Sequence, residues 1–224
     1  MIGALLPSAG PVADRPAELL ALIALLALAP AALVMLTSFL KIAVVLSIAR
    51  SALGAPQVPP STAVTGLALA LSLLVMAPVA ERAAALAAER PGEVGVTGAT
   101  ARLARAAGPL REFLGRFARA DDRAAFADVA RRLRPPEAAP PAEDDLAVLS
   151  LAFVVSELRR AFTIGFVVFL PFLAVDLVVA NVLLALGLTQ LSPTSAALPF
   201  KLLLFVAVDG WKLLARALAL SYEA

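Results

Sequence analysis

Apolar residues run along this chain in long uninterrupted blocks on either side of a charged middle. Leu19–Leu40 is 22 residues without a charge. At ~1.5 Å per residue a helix of that length covers about 33 Å, enough to cross a hydrocarbon core of about 30 Å. Pro30 predicts a kink within it. Lys41 interrupts the run, Ile42–Ala49 continues it and Arg50 ends it. Gly54, Pro56, Pro59 and Pro60 mark a break. Val64–Ala80, 17 residues, is a second apolar segment near the lower limit for spanning.

The second apolar half runs from Leu146 to Tyr222. Leu146–Ser156 leads into Glu157, Arg159 and Arg160, and Ala161–Val175 is uncharged up to Asp176. Leu177–Phe200 is again uncharged, with a break expected at Ser192-Pro193. A final helix carrying Lys201, Asp209, Lys212 and Arg216 is expected to end near Tyr222. No strand-like alternation is sustained. The expected fold is all-α and of integral-membrane type, with about four long apolar helices in two hairpins and a short helical insert between them. The divisions are a lead over 1–18, a first hairpin over 19–80, an extracytoplasmic insert over 81–145 and a second hairpin over 146–224.

The insert holds 11 Arg and 11 Asp or Glu, against 8 Lys or Arg and 6 acids elsewhere. Leu103, Leu110, Phe113, Leu114 and Phe117 recur at helical spacing, as do Phe126, Val129 and Leu133. Gly108-Pro109 is expected to break that pattern, with Asp121 or Asp122 as the next N-cap. Pro135, Pro136, Pro140 and Pro141 read as a stiff, acidic linker.

Composition narrows the chemistry. The 224 residues are 61% hydrophobic and only 16% charged, outside the range of ordinary soluble domains. With no Cys and no His, thiolate sites, zinc sites and Ser-His-Asp triads cannot be assembled. An aspartyl dyad of Asp176 and Asp209, or a Ser38–Lys41 pair, lacks any supporting catalytic context. Neither a phosphate-binding loop nor a dinucleotide fingerprint is found. The expectation is a protein that is not an enzyme, with no cofactor. A net charge of +2 gives no argument for nucleic acid.

Lys41, Glu157, Asp176, Lys201 and Asp209 stand in or beside apolar stretches. A charge at bilayer depth costs at least ~2.5–3.5 kcal/mol, so each must meet a partner, face water or sit outside the lipid. Glu157 can pair with Arg160 and Asp209 with Lys212, both at i,i+3. Asp176 has no opposite charge within a turn; its partner must come from another helix or another chain, with Lys41 and Lys201 as candidates. Gly66, Ser72, Gly165 and Gly187 permit close helix approach. Two bases without an acid in Lys41–Arg50 favour the cytoplasmic side for that stretch.

Four ordered blocks carry a resemblance. They are Thr37-Ser38-Phe39-Leu40-Lys41-Ile42 with Arg50-Ser51-Ala52-Leu53-Gly54 and Gln57-Val58-Pro59-Pro60; Ser156-Glu157-Leu158 with Gly165-Phe166 and Leu170-Pro171-Phe172-Leu173; Asp176-Leu177-Val178-Val179-Ala180-Asn181; and Leu198-Pro199-Phe200-Lys201-Leu202 running to Val208-Asp209-Gly210-Trp211. Together they resemble the FliP/SctR (YscR/HrcR-like) family of the bacterial type III secretion export apparatus.

The resemblance implies a non-catalytic core subunit of the export gate, a channel for unfolded substrate proteins across the inner membrane. It implies a multi-pass protein assembled within the basal body as a ring of five. Implied partners are small hydrophobic FliQ-like (SctS) and FliR-like (SctT) subunits, larger export-gate and switch proteins, and the secreted proteins themselves. Lys41, Glu157, Asp176, Lys201 and Asp209 would be structural charge partners. Family members usually carry a methionine-rich sealing loop. The matching stretch here, Leu186–Leu191, has no Met, so Leu188, Thr189, Gln190 and Leu191 would line or seal the channel as a stiffer ring. Flagellar relatives commonly begin with a clear cleavable signal, which this chain lacks, and that favours the injectisome branch. The alternatives are a flagellar export-gate subunit, or a small-solute transporter or ion channel with Asp176 or Glu157 as its coupling site.

Overall fold

The structure is a computed structural model that describes residues 23, 27–28, 30–55, 57–88, 96–135, 142 and 144–223. The lead over 1–18, most of Leu19–Pro30, and Pro56, Pro136, Pro140 and Pro141 lie outside them. The described residues form helices α1 (Pro30–Leu36), α2 (Phe39–Ala52), α3 (Ser61–Ala88), α4 (Val96–Phe117), α5 (Ala120–Leu133), α6 (Leu146–Ala185), α7 (Pro193–Ala207) and α8 (Gly210–Leu220), with no strand among them. By length and composition α3 and α6 can each cross a membrane, and α1 with α2 makes a broken third span.

The first apolar run bends by 87° between α1 and α2, at Thr37-Ser38; the kink expected at Pro30 depends on residues outside the described ones. At the bend hydroxyls take up the backbone groups. The Thr37 hydroxyl donates to the Leu33 carbonyl and accepts from the Phe39 N–H, while Ser38 donates to Ser72 of α3 at 3.2 Å.

Gly108-Pro109 does not interrupt α4. A proline inside a helix costs roughly 3 kcal/mol, and the buried side chains of Phe113, Leu114 and Phe117 in the following turns offset it. Neither Asp121 nor Asp122 is the N-cap of α5; Arg119 is. Both acids lie in the first turn, where they meet the positive end of the helix dipole. Ser156 of α6 accepts the Arg119 N–H at 2.9 Å and donates to Asp122 at 2.6 Å, pinning α5 to α6. The expected final helix is two, α7 and α8, broken at Asp209. That residue is left-handed (φ 51°), and a Cβ on Gly210 would stand 2.3 Å from the Phe205 ring.

α2 packs along α6, α3 lies against α2 and α4, α5 covers the first half of α6, and α7 lies on the second half. Ile42, Val45, Leu46, Ala49 and Phe153 are sealed in this core. Gly165 sets the spacing of α2 and α6, because a Cβ there would fall 2.4 Å from Ile48. The face of α6 that carries Phe162 and Phe166 and the face of α7 that carries Leu203 and Val206 stay uncovered.

Candidate functional site

The charges inside the apolar helices gather at two points. At the first, Lys41 of α2 lies 3.3 Å from Glu157 of α6, with side chains 2% and 0% exposed. Arg160 reaches the other carboxylate oxygen at 2.8 Å, and the Tyr222 hydroxyl donates to Glu157 as well. Lys41 Nζ also stands 3.5 Å from the Tyr222 ring centroid, a cation held over an aromatic face. Tyr222 is held in turn by Phe113 and Phe117 of α4, with ring centroids 5.9 and 4.9 Å away. Burial and the Glu157 charge push the Tyr222 phenol well above its usual range, so it stays a donor.

At the second point Lys201 of α7 meets Asp176 of α6 at 2.6 Å and donates to the Ala52 carbonyl at 3.2 Å. That carbonyl belongs to the last turn of α2, whose final C=O groups lack helical partners and carry the negative end of the dipole. Gly54, at φ 76°, turns the chain away beside it, and a Cβ there would stand 3.6 Å from Lys201 Nζ. One ammonium thus ties together α2, α6 and α7. The second oxygen of Asp176, Oδ1, is buried with no hydrogen-bond partner among the described residues. Asp209 does not join either cluster: it is exposed and pairs with Lys212 at 3.5 Å. The two aspartates are therefore held by different cations.

Leu188, Thr189, Gln190 and Leu191 form an exposed turn between α6 and α7. The turn is locked at its base. Gly187 is left-handed (φ 72°), its N–H bonds to Leu184 O at 3.0 Å, and the Leu188 N–H reaches Leu183 O at 2.9 Å. This paired pattern is the Schellman end of a helix. Beside the turn, an apolar groove of about 550 Å³ runs between α6 and α7, lined by residues that include Val178, Val182 and Phe200.

Tyr222 was not singled out as a site residue by sequence reasoning. A lone tyrosine after an apolar helix looks like a helix end, and only its position 65 residues beyond Glu157 and against it reveals the role. The Lys41–Glu157 pair was equally hidden, since Glu157 already has Arg160 within its own turn.

Comparison with known proteins follows the same stretch of chain. The profile of the FliP family matches residues 22–218. The chain is 44% identical over 211 residues to the hypersensitivity response secretion protein HrcR of Ralstonia nicotianae, covering 92% of this chain and 97% of that one. It is 44% identical over 207 residues to the Yop proteins translocation protein R of Yersinia pestis, covering 92% and 95%. It is 45% identical over 219 residues to the flagellar biosynthetic protein FliP of Pectobacterium carotovorum, covering 97% and 83%.

Proposed function

The chain belongs to the FliP family, and we propose that it is a core subunit of a type III secretion export apparatus in the bacterial inner membrane. In this reading it builds, as a ring of five with small hydrophobic FliQ-like and FliR-like subunits, the channel that unfolded proteins pass through. It makes and breaks no covalent bond.

The observation that carries the reading is the inversion of the usual burial pattern. Glu157, Lys41 and Lys201 are sealed inside, while Phe162, Phe166, Leu203 and Val206 stand outside. Charges matched within the chain leave its outer faces free to pack on other subunits or on lipid. An uncovered apolar area of this kind marks an interaction surface.

The turn Leu188–Leu191 is the lining or seal. Two exposed leucines flank Thr189 and Gln190 on a capped hairpin tip, so the tip presents a rigid apolar ring when copies assemble. The injectisome branch is the reading adopted. The five charged residues are structural partners, not coupling sites.

Native mass spectrometry of the detergent-extracted chain, alone and with its small hydrophobic partners, tests the assembly. A five-copy species that recruits those partners is expected, and a monomer or dimer that ignores them would move the reading to a transporter. The chain has no Cys, so Leu188→Cys adds a single thiol for crosslinking to a stalled secretion substrate. A crosslink is expected there and none from Leu133→Cys on exposed α5. Restored secretion in a strain lacking its own HrcR supports the branch; restored motility alone in a strain lacking flagellar FliP overturns it.

A further inference from the structure

A second polar feature lies where the charged insert meets α6. A cleft of about 520 Å³ opens between the end of α4, the start of α5 and α6. Arg116, Arg119, Arg159 and Arg160 line it, with Lys41 at its floor. The carboxylates that reach these cations are Asp121 on Arg119 (3.3 Å), Asp122 on Arg159 (3.4 Å) and Glu157 on both Arg160 and Lys41. Among the described residues five cations thus face three acids. Arg116 has no acid partner among the described residues; its guanidinium lies 5.5 Å from the Phe117 ring centroid. Burying Glu157 has placed its charge behind its two cations, which leaves the mouth of the cleft positive. The hydroxyls of Thr163 and Ser221 stand at the same cleft, their protons given to the Arg159 and Leu218 carbonyls.

The surroundings select the ligand. Arg159, Phe162, Thr163 and Phe166 recur at i, i+3, i+4 and i+7 and so fall on one face of α6. Phe162 and Phe166 are exposed, and no charge follows until Asp176. The arginines therefore stand at the polar end of an open apolar strip. A ligand that uses both parts is an anion with hydrocarbon attached. Guanidinium forks match phosphate oxygens in pairs, which an ammonium does not.

We propose that this cleft binds the phosphate of an anionic phospholipid, with the acyl chains laid along the Phe162 and Phe166 face. The phosphate chemistry alone would also admit inorganic phosphate, and the two sources separate by experiment. The full chain is extracted in mild detergent and incubated with phosphatidylglycerol, with phosphatidylcholine of the same chain length, or with inorganic phosphate. Retained adducts are then counted by native mass spectrometry. Phosphatidylglycerol is expected to be kept over phosphatidylcholine, and Arg116→Gln/Arg119→Gln to weaken that retention roughly tenfold or more. Arg159→Gln, on a different helix, is expected to weaken it too, while Arg131→Gln/Arg132→Gln, remote on α5, leaves it unchanged. Arg116, Arg119 and Arg159 are exposed, so their replacement spares the core, and an unchanged helical circular dichroism melt verifies this. Equal retention of the two lipids, equal retention by the cleft variants, or uptake of inorganic phosphate with no lipid kept would each overturn the proposal.

Discussion

Lys41 on α2 and Glu157 on α6 meet at 3.3 Å in a place that excludes water from both. Taking two charges out of water is costly, and their attraction repays it only when the remaining hydrogen-bonding capacity is used. Here Arg160 and Tyr222 use it on the Glu157 side, and the Tyr222 ring uses it on the Lys41 side.

Removing one member should therefore hurt more than removing both. Lys41→Met is expected to cost about 3 kcal/mol or more, because it strips a buried carboxylate of one cation. Lys41→Met/Glu157→Leu should recover part of that loss. Thermal melts of the four proteins in one detergent give the cycle, and additive effects would show that the pair is not coupled.

Asp176→Leu leaves Lys201 buried with only a carbonyl for a partner. Ring yield and secretion should both fall. Asp176→Leu/Lys201→Met should regain yield, since the uncompensated charge has gone. Normal ring yield and secretion in the single variant would remove Asp176 from the structural set.

Gly165→Val places branched carbon where Ile48 already stands. Overpacking of this kind costs typically about 1–3 kcal/mol. A second change, Ile48→Ala, should restore the melting temperature by emptying the space. If Gly165→Val alone melts as the parent does, α2 and α6 are not in the contact described.

Tyr222 is the chain's single tyrosine, so phenolate absorbance reports on it alone. Its pKa is raised above the ordinary 10.0, so the folded state keeps a proton that the unfolded state gives up. This contribution to stability is complete below pH 10 and declines above it, by about 1.4 kcal/mol per unit. Absorbance should stay silent through pH 10 and rise only together with loss of helix. A smooth titration centred near 10 with helix intact would mean an exposed phenol.

Much of this was legible in the chain. An acid alone in a long apolar run must find a cation elsewhere, and Asp176 has Lys201 at its side. The pairs Glu157–Arg160 and Asp209–Lys212 follow from helical spacing. What stayed hidden is whatever depends on a third element. The bend fell at Ser38 because Ser72 of α3 supplies a hydroxyl there, which local sequence does not disclose. Pro109 read as a break because its local cost is visible and the packing of Phe113 and Phe117 that offsets it is not. The division of the last helix at Asp209 rests on the close approach of Gly210 to Phe205, a contact around a corner.

The partners of α2 also set a timetable. The Ala52 carbonyl waits for Lys201, 149 residues later, and the Ser38 carbonyl at the bend faces Tyr222, 184 residues later. A ribosome adds about 5–20 residues per second, so roughly 7–30 s pass between α2 leaving it and Lys201 following. Lys41 stays unmatched until Glu157 is made, and the end of α2 until Lys201 follows. The nascent chain thus holds α2 unfinished until the second half is made.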